Sequence, residues 1–280
     1  MKIGIIGSSG YLGSNLSSYL EKKYTIKKFS SFKKLKKKWV MTVCKEINKF
    51  KPNIIVNCSA SQTLNDDSKS IEKIIYSNLY AQSIFLSEAK KKSSFKGFIT
   101  FGSRTEYDQS GKYNPHSFYA ASKHASDYLL QYFINNKITV VVLKIFDTYG
   151  KNDNRKKILT LLLKNYKNKK ILNLTPGKQE IDYVNILDIC RLISQVSKDI
   201  NNKKIKGFKK FTVSSKKPLK LVEIIKILKK NLKNELKIKL GILKYRKNEC
   251  MKCSRKIFNY PKWKPKYSLK KELVSIFDGN

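Results

Sequence analysis

Tyr119 and Lys123, in the run Tyr119-Ala120-Ala121-Ser122-Lys123, have the spacing that puts two side chains one turn apart on one helical face. A free phenol ionises near pH 10, so trading protons at neutral pH requires lowering it by about three pH units, roughly 4 kcal/mol. A neighbouring ammonium is expected to supply this by stabilising the Tyr119 phenolate. Ser103, in Gly102-Ser103 at the end of an apolar run, is expected to hydrogen-bond a substrate oxygen as it passes between alcohol and ketone. Spacing alone says little in this chain. With 16 Tyr and 55 Lys in 280 residues, chance gives about three Tyr-x-x-x-Lys pairs. Six occur, beginning at Tyr19, Tyr24, Tyr119, Tyr166, Tyr260 and Tyr267. Tyr119 stands out because it opens the helix that follows the run delivering Ser103.

A second set of residues points to a phosphate. Gly7-Ser8-Ser9-Gly10-Tyr11-Leu12-Gly13 separates the apolar run Lys2–Ile6 from Tyr11, Leu12, Leu16, Tyr19 and Leu20, which fall at helical spacing. Glycine permits a sharp turn and a close approach of backbone N–H groups to a pyrophosphate at the positive end of a helix, while a third glycine allows helix to pack on sheet. The spacing is G-x-x-G-x-x-G rather than the commoner G-x-G-x-x-G. Gly7, Ser9, Gly10, Tyr11, Leu12 and Gly13 are therefore candidate cofactor contacts, as are Tyr119 and Lys123. An acidic residue ending the second strand would receive the ribose hydroxyls of NAD. Phe29-Ser30-Ser31-Phe32-Lys33-Lys34 holds none. Ser30 and the lysines suit a 2′-phosphate, so NADP is expected, with NAD as the alternative.

These residues need a frame. Strands fit residues 25–29, 53–58, 97–101 and 139–146 (TVVVLKIF, buried on both faces), and helices fit 39–50, about 70–91 and 118–135. The alternation implies an α/β fold of Rossmann type: a doubly wound parallel sheet with right-handed crossovers and ligands at its carboxyl edge. After Gly150 the rhythm loosens into helices near 156–166, 187–196 and 219–232. The expected division is a cofactor-binding domain over 1–150, with 180–200 returning to it, and a smaller, partly interleaved substrate lobe over 151–280.

Composition bounds the partners. The chain carries 60 Lys and Arg against 20 Asp and Glu, a net charge of +40, with 41% hydrophobic residues. It is globular and long enough to bury a core without disulfides or a structural metal. Only Arg104, Arg155, Arg191, Arg246 and Arg255 are arginines. Nucleic-acid readers favour the bidentate arginine fork, so no specific nucleic-acid partner is expected. The lysines read as solvated surface; the contrasting possibility is salt-screened attraction to anionic partners by a non-catalytic basic protein on the same scaffold. Cys44, Cys58, Cys190, Cys250 and Cys253 are scattered and odd in number, which suggests a reducing cytoplasmic setting. Cys250-Met251-Lys252-Cys253 lacks the second pair of a zinc site, so no metal is expected. No apolar run reaches the roughly 18 residues of a membrane span and no signal peptide is evident, so membrane insertion is not expected.

With the glycine turn, Ser103, Tyr119 and Lys123 in this order, the chain resembles the extended short-chain dehydrogenase/reductases, the NAD-dependent epimerase/dehydratase family acting on nucleotide sugars. Asn57-Cys58-Ser59-Ala60 is similar to the family's segment beside the cofactor, and Asn78 to its bracing helix asparagine; the resemblance implies that Ser59, Ala60 and Asn78 serve the cofactor. Phe146-Asp147-Thr148-Tyr149-Gly150 resembles a strand end where many members have Asn in place of Asp147. Ile181 to Asp188, Tyr245-Arg246 with Glu249, Trp263-Lys264-Pro265 and Tyr267-Ser268-Leu269 resemble later family segments. Two departures narrow the branch. Family dehydratases carry Asp-Glu directly after the active-site hydroxyl residue, whereas this chain has Arg104 and Thr105. The diphosphate-binding Arg before the Asp-Tyr pair is replaced by Ile181, which leaves Arg246 as diphosphate clamp, with Arg104 and Asp147 as further substrate contacts. The chain looks most like the 4-ketosugar reductases of the CDP-abequose and CDP-paratose synthase type. That resemblance implies NAD(P)-dependent reduction of a 4-keto-deoxysugar nucleotide at C4 for surface lipopolysaccharide, a 4-epimerase being the alternative, and a homodimer paired through the helix of Tyr119 and its predecessor. His116, three residues before Tyr119, stands either at the substrate mouth or in a solvated loop.

Overall fold

Alternating apolar strands and amphipathic helices give one parallel sheet covered on both faces in the computed structural model, which describes residues 1–31, 36–63, 65–134, 137–254 and 256–278. The order is β1 (Lys2–Ile6), α1 (Tyr11–Leu20), β2 (Thr25–Lys28), α2 (Lys36–Phe50), β3 (Ile54–Asn57), α3 (Ser68–Ile75), α4 (Gln82–Ala89), β4 (Gly97–Ser103), α5 (Phe118–Gln131) and β5 (Thr139–Ile145). Then come β6 (Asp147–Tyr149), α6 (Ile158–Asn168), β7 (Leu172–Asn173), β8 (Glu180–Ile181), β9 (Tyr183–Asn185), α7 (Ile186–Asn201), β10 (Phe208–Val213), β11 (Leu219–Lys220), α8 (Leu221–Asn231), β12 (Ile238–Lys239) and α9 (Leu269–Asp278). The main sheet runs β10-β5-β4-β3-β1-β2 with every pairing parallel.

Strands β3, β4 and β5 are apolar without alternation because helices cover both their faces. Leu16 and Leu20 of α1 and Ile189, Ile193 and Val196 of α7 pack on one face. Val43 and Ile47 of α2 and Phe85 and Leu86 of α4 pack on the other. A separate cluster, including Leu162, Ile224, Leu228, Leu273 and Phe277, holds α6, α8 and α9 together.

Three details depart from the expected outline. Residues 70–91 do not form a uniform α-helix: α3 and α4 join through a π-helical turn at Tyr76–Ala81, a widening that recurs at functional sites. Helix α5 ends at Gln131, before the expected 135, which lies outside the described residues. The chain also crosses back to the main sheet beyond 180–200, because β10 bonds alongside β5 as an edge strand. We propose residues 1–150, 186–201 and 208–213 as the cofactor half. Among the described residues no helix is long and apolar enough to cross a membrane.

Candidate active site

The glycine turn is fixed by close backbone packing. Gly7 adopts φ +75°, a conformation open to glycine at no steric cost, and Gly10 N donates to Gly7 O at 3.1 Å. A Cβ on Gly13 would lie 2.2 Å from Gly7 O, so the third glycine is what lets α1 sit on the turn. Gly10, preceding α1, offers no side-chain cap, which leaves the first N–H groups of the helix to an outside acceptor. A cavity of about 350 Å³ opens there, with Gly7, Ser9, Gly10, Ser59 and Ala60 among its walls. This arrangement fits a dinucleotide pyrophosphate. The Leu12 side chain packs against the core. The Tyr11 ring lies beneath the Arg155 guanidinium, 4.2 Å from its ring centre.

At the end of β2, Ser30 N and Oγ donate to the Glu46 carboxylate at 2.8 and 3.0 Å, and Ser31 Oγ donates to Ser9 Oγ at 3.2 Å. A carboxylate therefore does reach this position, supplied from α2 rather than from the strand end. Phe32, Lys33 and Lys34, on which the 2′-phosphate expectation also drew, lie outside the described residues.

The hydroxyl, phenol and ammonium gather where β4 meets α5. Ser103 ends β4, its Oγ 2.8 Å from Thr105 Oγ1. Ser117 caps α5 by accepting from Ala120 N at 3.2 Å, which sets Tyr119 in the first turn. Lys123 is buried, its Nζ 6.0 Å from the Tyr119 ring centre. Asn78, in the π-helical turn, donates to Ser122 Oγ at 3.1 Å and exchanges bonds with the Ser61 backbone at 2.9 and 3.1 Å. It thereby ties α5 to the strap that walls the cavity beside the glycine turn. Gln82, on the same face, donates to Ser126 Oγ at 2.6 Å.

The electrostatics reverse one expectation. In the folded chain the Tyr119 phenol is not made acidic: burial, and then the negative Glu106, push it up. The lysine bears a similar cost: burial pushes Lys123 down to about 8, with Glu106 opposing. Withdrawal from water outweighs the mutual help of the pair. At neutral pH Tyr119 is a protonated acid beside a largely charged ammonium.

Directly after Ser103, Arg104 Nε pairs with Asp147 Oδ2 at 2.7 Å and Arg104 Nη1 donates to Cys250 Sγ at 3.1 Å. Two of the three expected substrate contacts are thus brought together, with a thiol of the C-x-x-C run added. Arg246 is exposed in the segment after β12. His116 Nδ1 lies 3.2 Å from Asn248 O, linking the loop before α5 to that segment.

The residues that sequence reasoning missed are buried charges. Glu106 from the turn after β4, Asp127 of α5 and Lys144 of β5 come together, where Lys144 Nζ contacts Glu106 Oε2 and stands 2.8 Å from Asp127 Oδ2. The available signal was Lys144 itself, a lone charge inside a strand covered on both faces, which demands a buried partner. Glu106, His124 and Asp127 hold ligand atoms within 4.8 Å of one another, but the Lys144 ammonium serves as the cation between the two carboxylates.

Comparison with known proteins agrees with this geometry. The chain is 29% identical over 208 residues to a CDP-abequose synthase of Yersinia pseudotuberculosis, covering 69% of this chain and 72% of that protein. It is 28% identical over 150 residues to a CDP-abequose synthase of Salmonella muenchen, covering 50% and 49%. Its fold is that of the UDP-glucuronic acid 4-epimerase of Bacillus cereus, solved with UDP-glucuronic acid and NAD, with a TM-score of 0.82 at 20% identity over 99% of this chain and 98% of that one. Residues 3–207, which contain the glycine turn, Ser103, Tyr119 and Lys123, match the profile of the NAD dependent epimerase/dehydratase family, and the chain belongs to that family.

Proposed function

We propose that this enzyme reduces a nucleotide-linked 4-keto-deoxysugar at C4, giving a deoxysugar donor for surface polysaccharide. The observation that carries the reading is Tyr119, set in the first turn of α5 by the Ser117 cap with buried Lys123 one turn along, because ketone reduction needs an acid at the substrate oxygen. The likeness to CDP-abequose synthases supports it. So does the absence of a dehydrating Asp-Glu pair after Ser103, where Arg104 is committed to Asp147.

A bound nicotinamide dinucleotide supplies the hydride. Ser103 Oγ hydrogen-bonds the ketone oxygen, and Tyr119 gives its proton to that oxygen as negative charge develops. Lys123, mostly charged at pH 7, stabilises the phenolate left behind. Arg104 and Asp147 contact the sugar, and exposed Arg246 clamps the diphosphate through its bidentate fork. NADPH is the proposed reductant, on the hydroxyls of Ser9, Ser30 and Ser31. Glu46, 2.8 Å from Ser30 N, favours the second reading, NADH, since a carboxylate there repels a 2′-phosphate. Ile75, Tyr80, Tyr128, Leu129 and Tyr132 are exposed along α3, the π-helical turn and α5, and we propose this face as a homodimer contact.

The test is consumption of NADPH or NADH with CDP-, UDP- and dTDP-linked 4-keto sugars. The expected result is stoichiometric oxidation, faster with NADPH, and a roughly 10³-fold lower kcat in Tyr119→Phe with the fold intact. Turnover of a UDP-hexose without net cofactor oxidation would replace the reductase by a 4-epimerase.

A further inference from the structure

The proposed chemistry leaves a fully buried carboxylate unused. Glu106 follows Ser103 in a short 3₁₀ turn, Arg104–Glu106, and is 0% exposed. Its Oε1 accepts from Ser103 N at 2.6 Å, while its Oε2 meets Lys144 Nζ from β5. The groups around it come from every packed element. Helix α5 presents Tyr119, Lys123, His124 with Nδ1 at 3.3 Å, and Asp127, which shares Lys144. Strand β10 presents Lys210, 3.7 Å from Asp127 Oδ2. The 3₁₀ turn itself holds Arg104, which pairs with Asp147; Tyr107 follows the turn with its hydroxyl 3.5 Å from His124 Nδ1, and Tyr113 stacks on His124 with ring centres 4.0 Å apart.

The position is built for this charge. A Cβ on Gly102 would lie 2.7 Å from Glu106 Oε1 and 2.2 Å from Lys144 Cδ, so the glycine before Ser103 makes room for the ion pair. A single carboxylate thus anchors the amide of the catalytic serine and places negative charge behind the catalytic tyrosine and lysine.

We propose that Glu106 is a positioning residue of the catalytic set: it fixes Ser103 through the backbone amide and, from a fully buried site in contact with Lys144, sets the charge around the Tyr119–Lys123 pair. This deepens the reductase reading and rests on it. Burial alone acts oppositely on the two groups, raising the phenol and lowering the ammonium, whereas Glu106 favours the protonated form of both. Lys144 opposes it at Lys123 and Asp127 reinforces it there.

Glu106→Gln separates the two duties, because the amide oxygen still accepts from Ser103 N while the charge is gone, and Lys144 keeps Asp127. In cofactor-dependent reduction of the 4-keto sugar, its alkaline limb is expected to fall by about half to one pH unit, so that the rate relative to wild type drops a further ~3- to 10-fold between about pH 6.5 and about pH 9. A uniform loss of kcat with an unmoved limb would overturn the proposal. Glu106→Asp keeps the charge and shortens the reach; its limb should stay at the wild-type position while kcat falls, and a displaced limb there overturns the proposal equally, even if the glutamine variant fails to fold. A substrate-free readout separates this from the reductase reading. Wild-type stability to urea should begin to rise with pH as Lys123 loses its proton near 8, and in Glu106→Gln that onset should move down by the same interval. If the enzyme reduces no 4-keto sugar, the reductase reading fails while the onset still decides the role of Glu106.

Discussion

The glycine turn and the proposed catalytic end are made of opposite materials. At the glycine turn, the site depends on atoms that are missing: Gly13 has no Cβ because Gly7 O occupies the space. At the catalytic end it depends on charges taken out of water, with Glu106, Lys123, Asp127 and Lys144 all buried. Shape governs the first and charge the second. The turn should therefore react to a single methyl and ignore pH, while the catalytic floor should accept isosteric replacement in space and respond to charge and pH.

The largest effect is expected at Lys144. Replacing it with Met leaves Glu106 and Asp127 facing each other without the ammonium that contacts one and lies 2.8 Å from the other. Stranding buried charge costs about 3–5 kcal/mol, readable as a lower urea midpoint. Lys123 should behave in the opposite way although it too is a buried lysine. Its folded state holds the proton only to about 8, against 10.5 in the free side chain. Between those values the unfolded chain binds more protons than the folded one, so wild-type stability rises with pH across this window, and below it the full penalty stands. Lys123→Met should therefore stabilise the fold at pH 7 by about 3 kcal/mol, lose that advantage as pH approaches 10.5, and abolish turnover. If both methionine variants shift stability in the same direction, the distinction between a structural and a catalytic lysine is wrong.

Which parts of this were readable in the chain follows from the same division. The glycine turn announces itself because steric demands act between near neighbours: Gly7, Gly10 and Gly13 meet within one turn of backbone. The parallel sheet was readable for a related reason, since strands covered on both faces become continuous apolar runs such as 139–143. Tyr119 and Lys123 were found by helical spacing plus position. The charge floor was not, because its members come from β4's exit, α5 and β5, and no local pattern links Glu106 to Asp127 and Lys144. Glu46 escaped for the same reason: it reaches Ser30 from a helix sixteen residues further on. The direction of the Tyr119 shift also depended on burial, which spacing does not report.

The smallest effect, and the sharpest check on the comparison, is expected from Gly13→Ala. The new methyl meets Gly7 O at 2.2 Å and Ser8 Cα at 2.8 Å, both backbone, so neither can swing aside as a flexible side chain would. Overpacking of this kind costs about 1–3 kcal/mol, and the better helix propensity of Ala returns about 1 kcal/mol. A net loss of up to roughly 2 kcal/mol should appear in the urea midpoint and stay constant from about pH 6 to about pH 9, because no ionisable group takes part. Dinucleotide affinity should fall by more than this stability change implies, since lifting α1 off the turn moves the N–H groups that face the cavity. A pH-dependent loss at Gly13 would mean that the turn and the charge floor are coupled, and the two regions would no longer be separable.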